Sequence, residues 1–140
     1  MIGKIASLFT VGLILSGVTA VAADSEKEGA AFLAAEKWLS IVDRSAYGES
    51  WKEAAQLFRT AISPQQWEQS VQAARGPFGR VLSRRVKSKT SATSLSGAPD
   101  GEYVVIQFDT SFEHKKKAVE TVTPMMEKDG KWRVSGYYIK

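Results

Sequence analysis

The spacing of hydrophobic positions changes character once along the chain, from a helical repeat before residue 76 to strand-like alternation after it. From Gly29 to Val42, Ala31, Ala35, Trp38 and Val42, flanked by Phe32 and Leu39, recur at helical spacing and predict an amphipathic first helix that stops near Asp43-Arg44-Ser45. A second helix is expected from about Tyr47 to Thr60, with Trp51, Ala54, Ala55 and Phe58 on one face. The third begins where Ser63 can cap the first free amides, Pro64 presets φ and Gln66 completes a capping box. Its apolar stripe is Trp67, Val71 and Ala74, and Gly76-Pro77 closes it, with Gly76 expected in the left-handed position after the last turn.

Beyond that point the apolar residues alternate. A first strand is expected from Phe78 through Lys89, and Thr90 to Pro99 reads as a loop. In the next strand Val104, Ile106, Phe108 and Phe112 lie on one side and Tyr103, Gln107 and Asp109 on the other, a drier and a wetter face. Asp129-Gly130 carries the signal of a type I′ hairpin, after which Trp132 to Ile139 forms the last strand. With that two-residue loop, Trp132, Val134 and Tyr138 share a face with Met125, Thr123 and Thr121. Arg133 and Tyr137 then share the opposite face with Met126, Val122 and, one pair further along, Glu120; a three-residue loop would change these partners. Three helices followed by about four antiparallel strands describe an α+β domain whose helices cover one face of a curved sheet.

The chain has 140 residues, enough for one domain. Residues 1–23 have the layout of a cleavable secretory signal: Lys4 as charged start, an apolar run from Ile5 to Val18, and Val21-Ala22-Ala23 as the cleavage pattern. The expected mature domain is 24–140, periplasmic or secreted, with no stable membrane anchor once cleaved. The sequence has no cysteine, so this domain has neither a disulfide nor a thiolate site and must hold together by its core. The net charge of +4 includes Lys4, which leaves the domain only mildly basic. Its basic clusters, Arg84-Arg85-Val86-Lys87 and Lys115-Lys116-Lys117, divide between two strand faces and a predicted hairpin turn, which argues against a nucleic-acid surface.

Little in the chain carries recognisable chemistry. His114 is the only histidine and sits in a predicted turn, so no metal site is expected, nor any cofactor. The three helical tryptophans Trp38, Trp51 and Trp67 lie on apolar stripes and are expected in the core. Asp109 and Glu120 flank one hairpin and can approach each other, as an acid–base pair or as structural ion pairs with Arg84 or Arg133.

Several segments together resemble bacterial exported proteins of domain-of-unknown-function family 4019. They are Ala35-Glu36-Lys37-Trp38-Leu39, Tyr47-Gly48-Glu49-Ser50-Trp51, Gln66-Trp67, Arg75-Gly76-Pro77-Phe78-Gly79 and Asp129 through Tyr137. That family brings no established activity. The order of helices followed by a meander ending in an Asp-Gly-x-Trp-x-Val strand is also similar to the cone-shaped nuclear-transport-factor-2-like superfamily, with a cystatin-like wrap as the competing architecture.

These readings lead to a non-catalytic binding or accessory domain for a small ligand or an envelope protein, and leave a homodimer open. The ligand is expected on the wetter sheet face, at Tyr103, Asp109, Glu120, Arg133 and Tyr137. The alternative is a small cofactor-free enzyme of the ketosteroid-isomerase type. It would need a desolvated carboxyl at the bottom of a pocket, with Tyr103 or Tyr137 donating to the same reacting atom.

Overall fold

The computed structural model describes residues 24–140, so the expected signal sequence lies outside the described residues. Helix α1 spans residues 24–43, α2 Tyr47–Glu53, α3 Gln56–Ala61 and α4 Pro64–Arg75, followed by a 3-10 turn at Gly76–Phe78. Strands β1 (Val81–Ala92), β2 (Tyr103–Phe112), β3 (Lys115–Met126) and β4 (Trp132–Ile139) form one antiparallel meander in the order β1-β2-β3-β4. The α+β class and the four-stranded sheet are as expected, but the described residues form four helices rather than three.

The second predicted helix divides at Ala54 and Ala55, which are both extended and fully buried. The Ala55 N–H leaves the helical pattern to donate to the Val134 carbonyl of β4 at 2.8 Å, so a sheet contact replaces one helical turn. Helix α4 starts as read, with Ser63 and Gln66 forming a reciprocal capping box. Its end differs: Gly76 is right-handed (φ −50°), and the left-handed glycine is Gly79 (φ 76°), where a Cβ would come within 3.0 Å of Glu113. The 3-10 turn delays β1, which begins at Val81 and continues to Ala92 through part of the expected loop.

One face of the sheet is dry because Val104, Ile106 and Phe108 meet Val122 and Val134 of the neighbouring strands and Ala31, Ala35, Trp38, Leu39 and Val42 of α1. Each fully buried aliphatic or aromatic side chain contributes about 1.5–3 kcal/mol. Trp38 and Trp67 are in this core, but Trp51 is only partly buried at its rim and donates its indole N–H to the Ile62 carbonyl at 2.8 Å.

The last hairpin closes differently from expectation. The Glu127 N–H bonds the Lys131 carbonyl at 2.9 Å around a three-residue loop, and Gly130 alone takes a positive φ, so the turn is not type I′. Met126 therefore pairs with Trp132 and Met125 with Arg133. Between Thr123 and Pro124 the register shifts: Pro124 pairs with Val134 but Thr123 with Gly136, leaving Ser135 as a bulge. Proline has no N–H to give the ladder, and the Ser135 hydroxyl instead donates to the Thr123 carbonyl at 2.7 Å. Past the bulge, Val122 faces Tyr137. The bulge thus puts Tyr137 on the inner, helix-covered face, while Arg133, between the core-packed Trp132 and Val134, stays on the outer one.

Candidate functional site

Two regions of the molecule concentrate polar groups, one on each face of the sheet. On the inner face, Glu120 is fully buried (0% exposed). Arg84 of β1 donates through Nε to Glu120 Oε1 at 2.7 Å, and Thr110 of β2 donates its hydroxyl to the same oxygen at 2.6 Å. Tyr137 of β4 donates its hydroxyl to Oε2. The other edge of the Arg84 guanidinium forks onto Asp43, at the end of α1, with bonds of 2.7 and 3.0 Å. Arg75, at the end of α4, reaches the same carboxylate at 2.8 Å and lies over the Phe112 ring, 5.2 Å from its centroid. The result is an alternating ladder, Arg75–Asp43–Arg84–Glu120, that joins the ends of two helices to the middle of the sheet.

The electrostatics suit a structural role. Burial would raise the Asp43 carboxyl, but the hydrogen bonds and charge of Arg84, joined by Arg75, outweigh it and hold Asp43 below the usual carboxylate value. Burial, and then the Glu120 charge, push the Tyr137 phenol well above its ordinary value, so it remains a neutral donor. Arg84 also stays charged, since Asp43 and Glu120 more than offset its desolvation.

Aromatic rings wall the Glu120 end of this ladder from solvent, while the Asp43 side chain stays 28% exposed. Trp38 lies 5.5 Å and Trp67 6.1 Å from the Tyr137 ring, and Phe58 meets Trp67 edge-on at 4.9 Å. Both indoles are oriented by one buried residue, Ser50: Trp38 donates to its carbonyl at 2.8 Å and Trp67 to its hydroxyl at 2.9 Å. Nothing in the sequence pattern singles out Ser50, Asp43, Arg75 or Thr110, because the first three acquire their partners only when the helices dock and Thr110 only when β2 pairs with β3. Arg84, one of the ion-pair partners that the sequence offers Glu120, pairs with it on the inner face rather than the wetter one.

The five expected site residues therefore do not share one surface. Glu120 and Tyr137 are brought together inside. Tyr103 is 1% exposed, with its hydroxyl donating to the Pro99 carbonyl at 2.6 Å beneath the β1–β2 loop. Arg133 forks onto the hairpin acids Glu127 (2.7 Å) and Asp129 (2.9 Å), not onto Asp109 or Glu120. Asp109 remains on the outer face opposite Val119, whereas Arg133 lies opposite Met125, six residues further along β3 and roughly 20 Å away at strand spacing.

Around Asp109 the outer face holds a cleft of about 490 Å³, lined by Ser83, Arg85, Ser111, Lys116, Lys117 and Lys140 among others. Smaller clefts of about 210, 240 and 300 Å³ lie between the helices and the sheet edges. The lysine triplet belongs to β3 and not to the hairpin turn, which is Glu113-His114. His114 is exposed, and among the described residues no cluster of His, Asp and Glu side chains could hold a metal ion. No described helix is long and apolar enough to cross a membrane.

No curated protein and no solved structure matches the chain significantly. A family model does: that of the Protein of unknown function family (DUF4019), which matches residues 34–137, from the middle of α1 to Tyr137, and so takes in the ladder and the bulge that completes it. With nearly all of the described fold inside that match, the chain belongs to the DUF4019 family.

Proposed function

We propose that the chain is an exported, non-catalytic binding module of the nuclear-transport-factor-2-like kind, which takes its ligand on the uncovered outer face of the sheet. One contrast carries this reading: the 490 Å³ cleft opens on the outer face around Asp109, while the inner-face carboxylate, Glu120, is fully buried and lines none of the clefts. Export is supported by the leader pattern of residues 1–23, and the cone-like architecture by the order of helices followed by a four-stranded meander.

The enzyme alternative requires a carboxylate free to take a proton and a donor aimed at the same substrate atom. Glu120 is desolvated and Tyr137 is near it, but the two are bonded to each other, and Arg84 and Thr110 occupy the other carboxylate oxygen. No room is left between them for a reacting atom. Native mass spectrometry of the protein purified from its own periplasm tests the reading. A small ligand retained by the unaltered protein and lost on combining Asp109→Ala with Lys117→Ala is the expected result. Retention unaffected by those changes, or a turnover that depends on Glu120, overturns it.

A further inference from the structure

The outer cleft is a product of strand irregularities. Between Val81 and Ser83 the β1–β2 register shifts, leaving Leu82 as a bulge, and between Thr110 and Phe112 the β2–β3 register shifts so that Lys116 and Lys117 together stand opposite the single residue Ser111. Both irregularities lie at the level of Ser111, which pairs with Ser83. Bulges bend their strands and re-aim side chains. Here Lys116 and Lys117, both exposed, border the cleft on either side of that irregularity.

Most of the cations that line the cleft are unpaired, as are several lysines elsewhere among the described residues, but here they stand together. Arg75, Arg80, Arg84 and Arg133 all reach carboxylates within 3.2 Å. Among the described residues, Arg85, Lys116, Lys117 and Lys140 form no ion pair, although Asp109 shares the cleft with them. Four unpaired cations gathered on one concave surface repel one another, and an anion entering the cleft relieves that repulsion.

We infer that this cleft is a binding site for a small soluble phosphate ester with free hydroxyl groups, of the sugar-phosphate class. The inference rests on the outer-face reading above and adds the chemistry of the ligand. Arg85 offers a planar fork for phosphate oxygens, and Lys116, Lys117 and Lys140 supply point charges around it. Asp109 would repel a phosphate but accepts hydrogen bonds from a hydroxyl, and the Ser83 and Ser111 hydroxyls can donate or accept. A simple polyanion would leave the Asp109 carboxylate opposed; a molecule anionic at one end and hydroxylated at the other matches both. The volume falls in the range of about 300–1,000 Å³ typical of small-molecule sites, and a concavity of that size favours a free molecule over a membrane headgroup.

Ribose 5-phosphate is a suitable probe, with ribose, inorganic phosphate and phosphatidylglycerol vesicles as comparisons, read by amide chemical shifts of the ¹⁵N-labelled protein. The expected result is saturable shifts at Ser83, Arg85, Ser111 and Lys117, with affinity for ribose 5-phosphate at least tenfold above that for ribose or phosphate alone. Lys116→Glu combined with Lys117→Glu should weaken binding at least tenfold while the unfolding midpoint stays close to that of the unaltered protein; Arg85→Gln provides a second variant if that pair does not fold. Ribose binding in the cleft as strongly as the ester, undiminished by charge reversal, overturns the phosphate inference and leaves the outer-face reading standing. Shifts confined to other surfaces, or none, overturn both. Binding to vesicles without binding to the free ester overturns the small-molecule inference.

Discussion

Arg84 and Glu120 lie 36 residues apart in the sequence and meet through a 2.7 Å bond across β2, on the side of the sheet where water is excluded. The pair stands in the middle of a ladder whose cations and carboxylates alternate, so the desolvation of each charge is offset by a neighbour. Arg84→Met removes two neighbours at once, leaving Glu120 with only hydroxyl donors and Asp43 with only Arg75. It should destabilise by about 3–5 kcal/mol, the usual cost of breaking a buried pair. Adding Glu120→Leu should cost much less than the sum of the single effects, since the uncompensated charge is then gone. Urea titration of both single variants and the double variant gives the answer; strict additivity would mean that Arg84 and Glu120 do not interact.

The lowered Asp43 carboxyl makes stability depend on acid. A carboxyl that is more acidic folded than unfolded contributes stability above its unfolded value, near the ordinary 3.8, and that contribution is lost as the pH falls through the lower folded value. The unfolding midpoint should therefore drop between about pH 5 and pH 2. Glu113 and Asp129, held low by Arg80 and Arg133, contribute in the same window. Asp43→Asn should flatten the acid limb of the curve while lowering the plateau at neutral pH. An unchanged acid limb would assign the acid dependence to the two exposed pairs.

Trp67 packs against Trp38, Phe58 and Tyr137 and is 5% exposed, so Trp67→Ala opens a large cavity between α4 and the sheet. The expected loss is about 3–5 kcal/mol. Trp51 sits at the rim, and Trp51→Ala should cost distinctly less. Guanidinium titrations of the two variants compare them directly, and a change under about 1 kcal/mol for Trp67→Ala would mean that α4 is not packed as described.

Much of the fold is legible locally. The Ser63–Gln66 capping box, the alternation from Val104 to Phe108 and the stripe of α1 all follow from residues within a few positions of each other. What depends on distant partners is not legible: Ala55 leaves its helix for a carbonyl of β4, and Asp43 gains its two arginines from α4 and β1. Glu120 and Tyr137 nevertheless share a face, as they do in the expected register, because two departures from the expected hairpin cancel. The loop has one residue more than expected, which shifts β4 by one position, and the Ser135 bulge shifts it back before Tyr137. Trp132, Arg133 and Val134 precede the bulge and so exchange faces: the two apolar residues turn to the core, and Arg133 turns outward to the loop acids.

That cancellation gives the bulge a measurable consequence. Deleting Ser135 while keeping the Glu127–Lys131 loop removes only the extra residue, so Gly136 still meets Thr123 and Tyr137 still meets Val122 on the inner face. Glu120 then keeps its Tyr137 donor, and the ring that touches both Trp38 and Trp67 stays in the core. The deletion variant should still unfold cooperatively and cost about 0.5–3 kcal/mol, for the lost hydroxyl bond and the bend that the bulge gives the strand. Ser135→Ala keeps the residue count and loses only the hydroxyl bond to Thr123, so it should cost about 0.5–1.5 kcal/mol. Near-ultraviolet circular dichroism follows the packing of the indoles in each variant. If the deletion variant loses the near-ultraviolet signal, the strand has not kept these pairs and Ser135 is not simply the extra residue of β4.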